Sequence, residues 1–360
     1  MKKTLALILS ILMLAALMTG CGQTPAPAAA PAEAPAAAPA EAPAEAPAEA
    51  PAEPEMVLKF AETNADSDNA TIAIYKFAEL VKERTNGRIQ IDVYSGGQLG
   101  SEADTVEQER YGAIDFVRFG SSNLEARGVD MPEYTALALP YLFASIDSEL
   151  AFFASDAGQE LMNKIEEKSG GELVCIGYTV TSPRHVFTKT PVATMEDLKG
   201  MKIRSEDAPL KIDIIASMGC SATPLAFNDL YSSLQTGVVD GGEQPIRGYY
   251  SNAFYEVCPY VLETAHNIQS NVFTVSGATW NKLSAEDQEI IRTAMMDSCA
   301  YFQELQAEAD GKFEAELLEK GVTFTELSAE ELAKFQEAMQ PLYEKYAADY
   351  LDLLALAQTF

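Results

Sequence analysis

Val57-Leu58-Lys59-Phe60-Ala61, and after a helical interval Ile89-Gln90-Ile91-Asp92-Val93-Tyr94, decide the fold class. Both stretches alternate apolar and polar side chains, the period of a half-buried strand. Between them Ala73, Phe77, Leu80 and Val81 follow i, i+4, i+7 and i+8, one face of a helix, and Asn86-Gly87 supplies the stop. Strand, helix and strand in that order make one β-α-β unit. A second helix to about Tyr111, then Gly112 and a strand at 114–119, extend it. Downstream, strands are predicted at 173–179, 201–205 and 238–241, alternating with helices around 210–218 and 228–236. Such alternation implies an α/β protein with mainly parallel sheets covered by helices. From Ser284 the pattern turns helical. Ser284-x-x-Asp287 reads as a capping box, and no proline appears before Pro341. One helix is therefore expected nearly to Gly321, with Gly311 as its point of bending, and Ser328-x-x-Glu331 caps another. A helix that long can run along two lobes at once.

The chain has 360 residues and a formal charge of −29 at neutral pH, with 48% apolar and 22% charged residues. That is an ordinary globular composition. Its negative balance argues against nucleic acid and anionic lipid as partners, because the phosphate contribution would be repulsive. A small anion stays admissible if a few arginines build a local positive pocket. At the N-terminus Lys2 and Lys3 precede an apolar run over 5–18, the length of a secretion signal and too short for a comfortable membrane span. The run ends Leu17-Met18-Thr19-Gly20-Cys21, which resembles a bacterial lipobox. Cleavage before Cys21 would leave a diacylated cysteine as lipid anchor. Residues 22–55 repeat an Ala-Pro-Ala-Glu-like unit, with a proline every four residues from Pro27 to Pro51. Such a linker is extended and partly polyproline II, reaching on the order of 100 Å. The spacer fits a Gram-positive-like cell surface better than a periplasm.

Chemistry-bearing motifs are missing from the folded part. There is no G-x-S-x-G, H-E-x-x-H, Walker loop or G-x-G-x-x-G. Two histidines, His185 and His266, exclude a His-rich metal site, and Cys175, Cys220, Cys258 and Cys299 have neither zinc nor thioredoxin spacing. Free thiols are expected. Ser95-Gly96-Gly97-Gln98-Leu99-Gly100 lacks the lysine of a phosphate loop and reads as a tight strand-to-helix turn. No cofactor, no metal and no catalytic residue is expected, and the chain does not read as an enzyme.

Several segments in order carry a family resemblance. Asn86-Gly87-Arg88-Ile89 leads into 94–100; Gly112-Ala113-Ile114-Asp115 and Leu139-Pro140-Tyr141-Leu142-Phe143 follow. Next come Asp197-Leu198-Lys199-Gly200-Met201-Lys202-Ile203-Arg204, Pro224-Leu225-Ala226-Phe227, and 231–241. The ordered set resembles the DctP-type solute-binding proteins of TRAP transporters, tripartite ATP-independent uptake systems, over essentially all of 56–360. The resemblance implies a two-lobed periplasmic-binding-protein-like fold with a long helix bridging both lobes. Lobe one would hold 56–181 and 271–308, and lobe two 182–270 and 309–360. It also implies a monomer that takes an organic acid, such as a uronate, another sugar acid or a dicarboxylate, and delivers it to TRAP membrane subunits. By the same resemblance Arg204 pairs with the ligand carboxylate, Arg184 is a second cleft arginine, and Phe227 packs on the ligand. Gln244 stands where many members have Asn, one methylene longer. Asn64, with Thr63 and Asp66, and Ser121 are further candidates after strands.

The residues make their own case. Met201 and Ile203 alternate with Lys202 and Arg204, placing Arg204 near a strand's carboxyl end, where open α/β sheets bind ligands. A guanidinium matches a carboxylate two-to-two, as a lysine cannot. Against this, Arg204 could be a surface residue paired with Glu206 or Asp207, Arg184 a solvent-exposed loop residue, Phe227 plain core, and His266 a satisfied core histidine. Uptake and sensing through a receptor use the same cleft and are not separated by the chain. An extracellular lipoprotein enzyme lacks a catalytic constellation.

Overall fold

The computed structural model describes residues 53–360. The signal segment, Cys21 and nearly all of the 22–55 linker lie outside the described residues. Among the described residues eleven strands form two sheets. They are β1 (Met56–Ala61), β2 (Ile89–Tyr94), β3 (Phe116–Gly120), β4 (Leu173–Val180), β5 (Arg184–Thr188), β6 (Lys202–Ser205), β7 (Ser221–Pro224), β8 (Gly241–Pro245), β9 (Tyr260–Asn267), β10 (Ser270–Ser276) and β11 (Thr323–Glu326). The first sheet runs β2-β1-β3-β10-β4 and the second β11-β9-β5-β8-β6-β7. Each sheet is the middle of one lobe. The chain passes from the first to the second after β4, returns between β9 and β10, and passes again through the helix Ala285–Glu319.

This crossing sets one antiparallel strand into each sheet, β10 in the first and β5 in the second, and the sheets are otherwise parallel, as expected. β1 lies parallel to β2 and β3, and β6 parallel to β7 and β8. β10 is antiparallel to β3 and β4, and β5 is antiparallel to β8 and β9. The reason is mechanical. The neighbouring strands β3, β4, β8 and β9 all end at the edge where the lobes face each other. A strand entering from the other lobe starts at that edge and must run the opposite way. The strand predicted at 238–241 is displaced, since β8 starts only at Gly241. Gly237 closes the preceding helix Leu230–Thr236 at φ 79°, and the Asp240 carboxylate accepts the Lys202 N–H at 2.9 Å, so 238–240 form the turn. Gln244 sits in β8. Arg184, expected in a loop after Pro183, is the first residue of β5.

Burial follows the sequence periodicities. From the helix Asn69–Arg84, Ile74, Phe77 and Val81 pack on β1 to β3, where Phe77 meets Phe116 edge-on at 5.5 Å and Phe60 stacks on Phe116 at 5.9 Å, while Ala73 packs with Phe302 of the long helix. Aromatic pairs of this kind add ~0.5–1.5 kcal/mol beyond area burial. Lobe two is centred on Phe187, stacked on Phe254 at 5.5 Å, with Leu230, Leu234 and Val261 around them. Ala285–Glu319 is one continuous helix through Gly311, with Ser284 Oγ accepting the Asp287 N–H at 3.1 Å. At ~1.5 Å rise per residue it spans roughly 50 Å. Its Ile291, Ala294 and Met295 belong to the core of lobe one, while Leu317 belongs to that of lobe two. No helix among the described residues is long and apolar enough to cross a membrane.

Candidate functional site

The facing sheet edges enclose a cavity of about 180 Å³. Its walls are the residues that follow strand ends: Thr63 and Asn64 after β1, Asn123 after β3, Thr181 after β4, Glu206 and Asp207 after β6, and Arg247 after β8. Residues in the strands themselves complete it, with Arg118, Arg184, Arg204, Gln244 and Asn271 reaching in. Leu225, Ala226 and Phe227 form an apolar side. The lobes touch around this cavity. Asn123 of the first donates to Glu206 of the second at 2.9 Å, and Arg247 of the second pairs with the buried Asp68 of the first. Ser251 Oγ adds a bond to Asp68 at 2.9 Å. The cleft is closed.

Arg204 is not the surface residue it could have been. It is 3% exposed, forms no ion pair among the described residues, and donates Nε to the Leu225 carbonyl at 2.9 Å. Its Nη1 is buried without a partner, and its guanidinium carbon lies 5.7 Å from the centre of the Phe227 ring. Burial holds its pKa below the ordinary arginine value, with Glu206 and Glu243 acting the other way. A buried guanidinium with donors unspent has the chemistry to take an anion.

Arg184 is placed in the same cavity but is already occupied. Nε and Nη2 both engage the Glu243 carboxylate, Nη2 also reaches the Glu243 carbonyl at 3.1 Å, and Nη1 reaches Gln269 Oε1 at 3.2 Å. Burial works against the charge, but Glu243 and Glu206 outweigh it and raise the arginine's pKa. The same pairing holds the Glu243 carboxyl well below its ordinary range despite burial. His266 is a buried companion of this pair: Nδ1 bonds Thr264 Oγ1 at 2.8 Å and Nε2 lies 3.6 Å from Glu243. It does not line the cavity.

Gln244, 9% exposed, lines the cavity and makes no side-chain hydrogen bond among the described residues. Phe227 lines it too, braced edge-on by Phe254 at 5.8 Å, so its ring is both wall and core. Asn64 is present with its backbone N–H on Glu62 at 2.8 Å and Nδ2 on Asp68 at 3.3 Å. Two candidates fall away. Ser121 is 2% exposed and bonded to Ser270 Oγ at 2.6 Å, off the cavity lining, because the chain turns into a short 3₁₀ helix directly after β3. Asp66 accepts bonds from Ser95 and Tyr75 at 2.6 Å each and likewise stays outside the lining.

Sequence reasoning missed Arg118, Asn123, Arg127, Arg247 and Glu102. Arg118 had a readable signal, being a lone arginine in the apolar run Phe116-Val117-Arg118-Phe119. The other four stand on turns and helix starts with no local mark. Ser95–Gly100 is the tight turn expected, and it also reaches the other lobe. At Gly97, with φ +71°, a Cβ would lie 3.1 Å from Asn228 Cβ.

Two lobes that exchange strands, share one long helix and close over a buried, unpaired arginine define a two-lobed ligand-binding protein. The chain belongs to the bacterial extracellular solute-binding protein family 7, DctP, which matches residues 60–349. A solute-binding protein of Chromohalobacter salexigens is 33% identical over 285 residues, 79% of this chain and 82% of the relative. A TRAP periplasmic solute-binding protein of Sulfitobacter sp. NAS-14.1, solved with bound β-D-galacturonate, is 32% identical with TM-score 0.76, covering 84% of this chain and 98% of its own. Another from Pseudomonas putida F1, with bound D-glucuronate, is 30% identical with TM-score 0.78, covering 84% and 96%. The family is one of solute-binding proteins.

Proposed function

We propose that the protein captures an organic acid anion, a sugar acid or a dicarboxylate, in the interlobe cavity and delivers it to the membrane subunits of a TRAP transporter. The observation that carries this reading is Arg204, a buried cation without an acidic partner in a closed, strand-end cavity. Gln244 and Asn64 are assigned to the ligand's polar groups and Phe227 to its apolar face. Arg184 positions the wall through Glu243 and adds positive potential, rather than offering a free fork. The relatives solved with uronates support the ligand class. The domain reading follows the strand exchange, with lobe one on 56–181 and 271–308, and lobe two on 182–270 and 309–360. The chain acts as a monomer, tethered through a lipid on Cys21 and held off the membrane by the 22–55 spacer, which suits a Gram-positive surface.

A thermal-shift panel tests the function. A true ligand stabilises by RT ln(1 + [L]/Kd), ~2.7 kcal/mol at a hundredfold excess over Kd. Sugar acids and dicarboxylates should include the active compounds, with neutral sugars and amino acids silent. A shift from a neutral sugar alone would end the organic-acid reading. For the anchor, intact mass should show a mature chain beginning at a diacylated Cys21, and a soluble chain starting elsewhere would refute it.

A further inference from the structure

Five arginines line the cavity, and four already have an acid. Arg118 pairs with Glu62, Arg127 with Glu102, Arg184 with Glu243 and Arg247 with Asp68. Arg204 is the exception among the described residues. One uncompensated cation has room for one carboxylate.

The same lining brings together two carboxylates from different lobes. Glu102 opens the helix Glu102–Arg110 in lobe one, and Glu206 follows β6 in lobe two. Asn123 Nδ2 donates to Glu102 Oε1 and to Glu206 Oε2, both at 2.9 Å. Arg127 Nη2 reaches Glu102 Oε1 at 3.2 Å, and Arg184 Nη2 lies 3.3 Å from Glu206 Oε1. An ionised carboxylate has about four lone-pair sites and no donor. Two or three donors each leave acceptor sites open on both groups. Asn123 Oδ1, in a residue 1% exposed, is a further acceptor with no partner. This part of the cavity asks for donors that carry no charge, which is what vicinal hydroxyls are. A second ligand carboxylate would instead arrive as a third negative charge, with Arg127 and Arg184 already paired and Lys211, off the cavity lining, bonded to Asn267 and Gln269.

We infer that the ligand is a polyhydroxylated monocarboxylate, with its carboxylate on Arg204 and its hydroxyls donating to Glu102 and Glu206, and that this acidic pair rejects dicarboxylates. The inference rests on the organic-acid reading above and narrows it. Hydroxyl-to-carboxylate bonds are charge-assisted and favour the right ligand, while like-charge juxtaposition in a closed site works against the wrong one. Placing one carboxylate of the pair in each lobe makes the selection act at closure, when both come within reach of one ligand.

Titration calorimetry on the folded chain tests this with D-glucuronate, D-galacturonate and D-gluconate against D-glucarate, succinate and malate. Gluconate and glucarate differ only by a terminal hydroxymethyl turned into a carboxylate. The tightest ligand should be a hydroxylated monocarboxylate, with every dicarboxylate weaker by roughly a hundredfold or more. Glu102→Gln and Glu206→Gln, each checked for a native melt, should narrow that ratio at least tenfold by relieving the repulsion. A dicarboxylate within tenfold of the best monocarboxylate overturns the inference and leaves the organic-acid reading standing. So does a ratio unchanged in both variants. Binding of a neutral sugar but no acid, indifferent to Arg204→Ala, brings down the organic-acid reading and this inference with it.

Discussion

Replacing Arg204 by methionine separates what this side chain does for the ligand from what it does for the fold. In the closed, liganded protein the carboxylate has lost its water and regains that solvation from the guanidinium. Deleting the cation leaves the anion buried and unpaired, a loss of ~2–5 kcal/mol. At 1.4 kcal/mol per decade that is about thirtyfold to several thousandfold in Kd. Without ligand the sign reverses. The guanidinium is 3% exposed, has no ion pair among the described residues, leaves Nη1 without a hydrogen bond, and has its pKa held down by burial. The Nε bond to Leu225 at 2.9 Å and the face of Phe227 at 5.7 Å are its compensation. A methionine, shorter by the guanidinium head, removes the desolvation cost and keeps the apolar stem while giving up the Leu225 bond, so the ligand-free Tm should match or exceed the parent's. Arg204→Lys keeps the charge without the parallel donors and should recover only part of the affinity. Titration calorimetry gives Kd, and scanning calorimetry without ligand gives Tm. An unchanged Kd in the methionine variant would show that the carboxylate is held elsewhere. A ligand-free Tm several degrees lower would show that Arg204 is a brace for the fold and its unspent donors irrelevant.

Arg184→Ala should behave oppositely, since it strands the buried Glu243 carboxylate: about 3–5 kcal/mol of stability is lost even without ligand, and a denaturant melt within 1 kcal/mol of the parent would contradict the pairing. Glu149, 2% exposed with Oε2 unpartnered, has its carboxyl pushed up to about 8 by burial, against weaker opposition from Ser270 and Lys211. A folded pKa above the unfolded value means its contribution is fully present below about pH 4.5 and lost as pH rises to about 8. The advantage of Glu149→Gln over the parent should therefore grow by ~1.4 kcal/mol per pH unit across that window, and a gap flat from pH 5 to 8 would refute the assignment. Gly97→Val places a branched side chain at φ +71° against Asn228 of the other lobe, so ligand affinity should fall at least tenfold while liganded scattering reports a wider cleft; parent-like affinity would show that this rim does not limit closure.

Much of the fold was legible because its signals are local. The alternation in 57–61 and 89–94, the helical face Ala73, Phe77 and Val81, and the caps at Ser284 and Ser328 all describe elements that form there. β5, β7, β9, β10 and β11 were not read from the chain. β10 is buried at every position and shows no alternation, and β5 is defined by partners on either side that come from β8 and β9. The direction of β5 and β10 depends on where the chain re-enters a sheet, which no window of sequence contains. The site divides the same way. Arg204 was legible because a strand period places it at a strand's carboxyl end, and because its surroundings match a family. That Arg204 is unpaired while Arg184 is spent on Glu243 is a fact of distance, 59 residues apart in the chain. That Glu102 and Glu206 share the amide of Asn123 is another, since they meet only when the lobes close. The sequence alone set the elements with local signals, while the two-lobed fold and the choice of Arg204 came with the family resemblance. Only the tertiary structure decided which charges are already neutralised, because neutralisation depends on through-space separation and burial, and it is the residual charge that selects a ligand.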